Sequence, residues 1–173
     1  MNVKRANASL LAAVLALCLS GCSGIGEKAI HNQIEQELVM DLPAGTVITE
    51  NDSHGGFHGD GTSYAAIQFE DDAFESMVRG AENWFAFPMD ETVQALVYGC
   101  GFEDRMYGPY LTDEEGNPLI PAVVDGYYYL KDRQADGSGE TAGTDILHRP
   151  SLNVTIAVYD SEQRMLYYCE IDT

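Results

Sequence analysis

Apolar and polar positions alternate most regularly near the end of the chain. From Leu152 to Tyr159, the residues Leu152, Val154, Ile156 and Val158 alternate with Asn153, Thr155 and Ala157; after Asp160-Ser161-Glu162-Gln163 a second run, Met165 to Ile171, returns. Side chains of a strand point to opposite faces in turn, so two such runs joined by a short polar turn predict an antiparallel pair. Earlier, Pro43-Ala44-Gly45 is a turn before the β-branched run Thr46-Val47-Ile48-Thr49. From Thr62 to Phe69, Ala65, Ile67 and Phe69 alternate with Tyr64, Ala66 and Gln68, which predicts the next strand. Gly126-Tyr127-Tyr128-Tyr129-Leu130 reads as another, with aromatic residues on both faces.

Between these strands the period changes. Asp72-Ala73-Phe74-Glu75 has the spacing of a capping box, and Phe74, Met77, Val78, Ala81 and Phe85 recur at helical period until Pro88. Asp90 is placed to cap a second helix whose Val93, Leu96, Val97 and Cys100 share a face, with Gly99 and Gly101 ending it. Trp84, Phe85 and Phe87 are expected to pack in the core rather than form a ligand platform. Leu111 to Leu119 reads as a tight acidic hairpin or turn, and Asp136 to Asp145 as a Gly/Ser/Thr-rich loop. The expected architecture is α+β: one antiparallel sheet of about five strands, in the order β-β-α-α-β-β-β, with both helices packed on one face.

The 173 residues suit one folded domain, expected over 44–173. Nine basic residues against 28 acidic ones leave a net charge of −19, so no positive face for nucleic acid can be assembled. The acidic balance fits a solvated surface.

The first 21 residues change the picture. Lys4 and Arg5 precede the apolar run Leu10 to Leu19, which is too short for a mature membrane span and has the layout of a secretory signal. Leu19-Ser20-Gly21-Cys22 resembles a bacterial lipobox, which implies cleavage before Cys22 and fatty acylation of its thiol. Two acyl chains hold a protein stably at a membrane where one does so only marginally. Removing Lys4 and Arg5 with the leader deepens the net charge from −19 to −21, two bases fewer against the same 28 acids. Residues 22–43 are then an anchor and tether, or a short helix with Ile30, Ile34, Leu38 and Val39 on one face.

Candidate chemistry concentrates in Asp52-Ser-His-Gly-Gly-Phe-His-Gly-Asp-Gly61. Asp52, His54, His58 and Asp60 offer imidazole and carboxylate groups that a loop can gather around a small ligand, and His54, His58 and Asp60 are the candidate metal ligands. The spacing matches no zinc signature, and the glycines also suit a plain hairpin connection. For catalysis His58 would act as base and Asp60 would orient it, but no nucleophile is identifiable, so no catalytic residue is assigned. The segment from Asp132 fails the calcium-loop pattern, with Gln134 at the third position and Gly143 where a glutamate belongs. There is no phosphate loop, no Gly-x-Ser-x-Gly and no Cys-x-x-Cys, and no cofactor is expected. Cys100 and Cys169 both point at the expected core, either as a disulfide or as two free apolar thiols.

The histidine loop, Trp84, Leu96-Val97-Tyr98-Gly99, Gly126-Tyr127-Tyr128-Tyr129, Ile156-Ala157-Val158-Tyr159 and Leu166-Tyr167-Tyr168 together carry a likeness. From about Ile48 onward the chain resembles a group of small uncharacterised lipoproteins, or membrane-anchored proteins, of Gram-positive bacteria. The resemblance implies attachment to the outer face of a cytoplasmic membrane and carries no activity with it. The expectation is therefore a lipid-anchored, non-enzymatic extracytoplasmic module that meets the membrane through Cys22 and binds a protein or small-molecule partner. The alternative is a metal-dependent surface enzyme using the Asp52–Asp60 loop.

Overall fold

The computed structural model describes residues 23–55, 59–102, 105–138 and 146–173. It divides into two compact units, Met1–Asp41 and Leu42–Thr173. The first contains helix α1, Ser23–Leu38, in which Ile34 and Leu38 are buried one turn apart. Among the described residues no helix is long and apolar enough to cross a membrane.

The second unit is α+β, and its sheet is antiparallel. In chain order it contains β1 (Gly45–Asp52), β2 (Gly61–Phe69), α2 (Ala73–Val78), β3 (Trp84–Ala86), α3 (Glu91–Tyr98), β4 (Cys100–Phe102), β5 (Arg105–Tyr107), β6 (Gly126–Asp132), α4 (Arg133–Ser138), a 3-10 turn (Ile146–His148), β7 (Asn153–Asp160) and β8 (Met165–Asp172). Six strands form the main sheet in the order β1-β2-β8-β7-β6-β3, and β4 pairs with β5 in a separate small sheet. The clearest pair in the sequence, β7 and β8, lies at the centre with Ile156 opposite Cys169 and Val158 opposite Tyr167. Its turn is held by Asp160, whose Oδ1 accepts the backbone N–H groups of Glu162 and Gln163 at 2.9 Å each.

The expected five strands become six because the first predicted helix stops early. After Val78 the chain turns at Gly80, and Trp84–Ala86 extends as an edge strand against Tyr127–Tyr129. Helical spacing at Ala81 and Phe85 misled because the tertiary partner, the edge of β6, overrides propensity. Phe85 is consequently 52% exposed, whereas Trp84 is buried. The expected capping box is also unformed: Asp71 Oδ1 accepts the N–H of Ala73, while Asp72 pairs with Arg164 Nε at 2.6 Å.

The two longer-predicted helices do not share a face. Strand register puts Tyr64, Ala66, Tyr128, Ile156, Val158, Tyr167 and Cys169 on one side, and Phe69, Tyr129, Tyr159 and Tyr168 on the other. On the first side α3 contributes Val93, Leu96 and Val97 to a core shared with Leu111, Ile120 and Ile146. On the second, Phe74 of α2 stacks on Phe69 at 4.9 Å between ring centroids and meets Tyr159 at 5.1 Å and Trp84 at 5.6 Å. The strand order accommodates this. β2 and β3 have three strands between them, so the α2 segment crosses the sheet on one side, and the chain returns to β6 through α3 on the other.

The second helix forms as its sequence predicts up to Tyr98, with Asp90 Oδ1 accepting the N–H of Val93 at 2.8 Å and Gly99 in the left-handed region at φ 76. Cys100 falls beyond it, at the start of β4. Gly108 lets the following segment fold back, since a Cβ there would sit 1.9 Å from the carbonyl oxygen of Ala95. The acidic turn after Leu111 is closed by Asp113, whose Oδ1 accepts the N–H groups of Glu115 and Asn117. Residues 136–138 of the expected loop lie in α4, and 139–145 lie outside the described residues.

The packing predicts a contrast between two neighbouring aromatics. Phe74→Ala lowers the free energy of unfolding by about 3–5 kcal/mol, the usual cost of an emptied aromatic site, whereas Phe85→Ala changes it by less than about 0.5 kcal/mol. Denaturant titration followed by the fluorescence of the lone tryptophan, Trp84, measures both; equal losses would contradict the assignment of faces.

Candidate functional site: a histidine clamped by two carboxylates

The histidine loop leaves the sheet at its polar end. Register there sets Asp52 opposite Ser63, Ser63 opposite Glu170, and Glu170 opposite Thr155, so one row of polar side chains crosses β1, β2, β8 and β7 on the face that also carries Phe69 and Tyr159. Gly61, opposite Asp172, has no side chain for a local reason: a Cβ there would lie 2.5 Å from His54 Cα, so only glycine lets the returning loop bring His54 over the strand ends.

His54 is consequently held from both sides. Its Nδ1 lies 2.6 Å from Asp52 Oδ1, and its Nε2 lies 3.0 Å from Asp172 Oδ2. Its backbone N–H also donates to Asp52 Oδ1 at 3.0 Å, and the Ser63 hydroxyl lies 3.1 Å from both that oxygen and Nδ1. The chain of charges continues past Asp172. Arg133, at the start of α4, reaches Asp172 Oδ1 at 2.6 Å and Glu170 Oε2 at 2.7 Å, and also donates to Thr155 Oγ1 and the Ile171 carbonyl. The Tyr168 hydroxyl donates to Glu170 in turn.

With the imidazole protonated, Asp52, His54, Asp172, Arg133 and Glu170 alternate in sign. Burial works against charge on His54, but the hydrogen bonds and charges of Asp52 and Asp172 outweigh it, and the net effect raises its pKa above the ordinary 6.5. The backbone N–H of His54, then its ring and the Ser63 hydroxyl, hold the Asp52 carboxyl below its usual 3.8. A second ion pair stands apart on the opposite face: Arg149 Nη1 lies 2.8 Å from both oxygens of Asp132, which is buried and also accepts the N–H of Ala135. That pair secures the segment after the 3-10 turn to the start of α4.

Of the four candidate ligands, Asp52 and His54 meet; Asp60 is exposed at the head of β2 and does not join them, and His58 lies outside the described residues. The two carboxylates sit on the diverging nitrogens of one ring, so His54 presents no free nitrogen and the acids do not converge on one point. Among the described residues no group of three or more His, Cys, Asp or Glu side chains gathers where a metal ion would fit. Nor is Ser63 activated while the ring is charged: an imidazole with a proton facing each carboxylate has no lone pair to accept the hydroxyl's proton, and Ser63 is buried in either state of the ring. Cys100 and Cys169 are free thiols. Leaving the helix turns Cys100 Sγ toward the Glu91 carbonyl, while Cys169 is fully enclosed, its thiol pKa pushed far up by burial.

Sequence reasoning missed Asp172, Glu170, Arg133 and Ser63. The available signal was in β8: two acids on one face, at the end of an otherwise apolar strand, require a cation or a charged hydrogen-bond donor. No family model matches the chain, and no match was found among curated proteins or solved structures.

Two outcomes are expected. Arg133→Met lowers stability by about 2–3 kcal/mol because it removes the cation that bridges the partly buried Glu170 and Asp172; a loss below about 0.5 kcal/mol in chemical denaturation would mark the pair as a surface contact. The second concerns pH. His54, whose pKa is raised on folding, contributes stability that is full below about 6.5 and is lost as pH rises through the folded value; Asp52, whose pKa is lowered, contributes stability present above 3.8 and lost as pH falls through its folded value. The difference in melting temperature between the native chain and His54→Gln is therefore greatest between those limits and shrinks on the alkaline side; a pH-independent difference would contradict the clamp.

Proposed function

We propose that the chain is a lipid-anchored extracytoplasmic protein whose folded unit acts as a non-enzymatic module, tethered through Cys22 and binding a partner or small ligand. The reading of location rests on the charged start, apolar run and Leu19-Ser20-Gly21-Cys22 in order. The observation that carries the non-enzymatic reading is the commitment of both ring nitrogens of the charged His54 to carboxylates, together with the burial of Ser63, the one hydroxyl within reach of the ring, away from any substrate. A chain with so few basic residues gains nothing from anionic lipid headgroups, and a covalent anchor keeps such a body at a surface that its charge does not favour.

Growth of expressing bacteria on labelled palmitate tests the anchor. The native chain incorporates label and fractionates with membranes, and Cys22→Ala does neither; label retained in Cys22→Ala would overturn the proposal. Elemental analysis of the purified protein tests the non-enzymatic part: stoichiometric zinc or manganese that disappears in His54→Ala would favour a metal enzyme instead.

A further inference from the structure

The clamp leaves one group poised between two partners. The Ser63 hydroxyl is 3.1 Å from Asp52 Oδ1 and 3.1 Å from His54 Nδ1. While the ring is charged, Nδ1 carries a proton directed at Asp52, so the Ser63 proton has only the carboxylate to go to. A neutral ring has a single N–H for two carboxylates, and its other nitrogen then turns a lone pair toward an anionic oxygen. One of the two contacts must open.

Geometry decides which. Asp172, with its side chain 31% exposed, is fixed from behind by Arg133 at 2.6 Å, and Glu170 lies on the far side of that arginine. The Asp52 side chain is 64% exposed and has water to replace the ring. The remaining N–H therefore stays with Asp172, and the Ser63 hydroxyl rotates to donate to the bare Nδ1. The ring is faced by Asp52 from β1, Ser63 from β2 and Asp172 from β8, with Arg133 and Glu170 behind Asp172.

We propose that His54, Asp52 and Ser63 form a proton-operated toggle, which latches the end of β1 to the end of β8 while the imidazole is charged and releases the β1 end when it is neutral. The raised pKa of His54 sets the change above 6.5. The moving part is small: Asp52 loses its ring and hydroxyl donors, and the backbone at residues 52–54 loosens, while the Asp172 and Arg133 half of the chain of charges stays closed.

Nuclear magnetic resonance of the full chain in detergent, labelled at histidine and assigned with His54→Gln, tests this directly. The His54 ring is expected to titrate above 6.5. Ser63→Ala removes the partner of the neutral ring and moves the midpoint further up, whereas Asp52→Asn removes a partner of the charged ring and moves it down. In the native chain, exchange of the His54 amide, corrected for the intrinsic effect of pH, rises roughly fivefold as the ring loses its proton, the loss of about one hydrogen bond. A native midpoint at or below 6.5, a downward or absent shift in Ser63→Ala, or unchanged amide protection would each overturn the toggle. The exchange measurement needs no variant, so the test survives if Ser63→Ala does not fold.

Discussion

Two acids at the end of an apolar strand set the constraint that the polar end of this protein meets. Glu170 and Asp172 share a face of β8 with Tyr168, which is fully buried, and carboxylates brought that close to a core need counter-charges or donors. The chain supplies them from two directions. Arg133 arrives where β6 gives way to α4 and spans both acids; His54 arrives from the β1–β2 connection and takes the remaining oxygen of Asp172. The connection can reach because Gly61 lets the loop lie against the strand. Gly61 and His54 thus have their reason in closing the end of a sheet.

The opposite end of the same face is closed by a different force. Phe74 enters between Phe69, Tyr159 and Trp84, so α2 is held by aromatic contact area rather than by its own length of six residues. Such a short helix would not persist alone, and its position is set by the crossing from β2 to β3. The other face is mainly aliphatic, with Tyr128 and Tyr167 among its buried residues, and belongs to α3. One sheet therefore carries a mainly aliphatic core on one side, and an aromatic patch that passes into an ion-paired row on the other.

Much of this was legible in the chain. Strands β2, β6, β7 and β8, the Asp160 turn, and the Asp90 and Gly99 ends of α3 were readable because alternation and capping are local signals. The short edge strand β3 was not, since Trp84 and Phe85 also fit a helical period and only the neighbouring β6 decides between the two. The sidedness of the helices was hidden for a similar reason: it depends on strand order, which sequence spacing does not encode. At the site, Asp52 and His54 were identifiable by residue type, but Asp172 lies 118 residues further along than His54 and meets it only through strand register, and Arg133, 79 residues further along, joins the site only through Asp172 and Glu170.

His54 and Asp172 act as one charged unit and not as two independent surface groups. A double-mutant cycle with His54→Gln and Asp172→Asn, measured by chemical denaturation at about pH 5.5, where the linkage argument has both groups charged, addresses it most directly. A coupling of about 1 kcal/mol or more is the predicted result, as expected for neighbours in one network. Additivity of the two losses to within about 0.3 kcal/mol would contradict it.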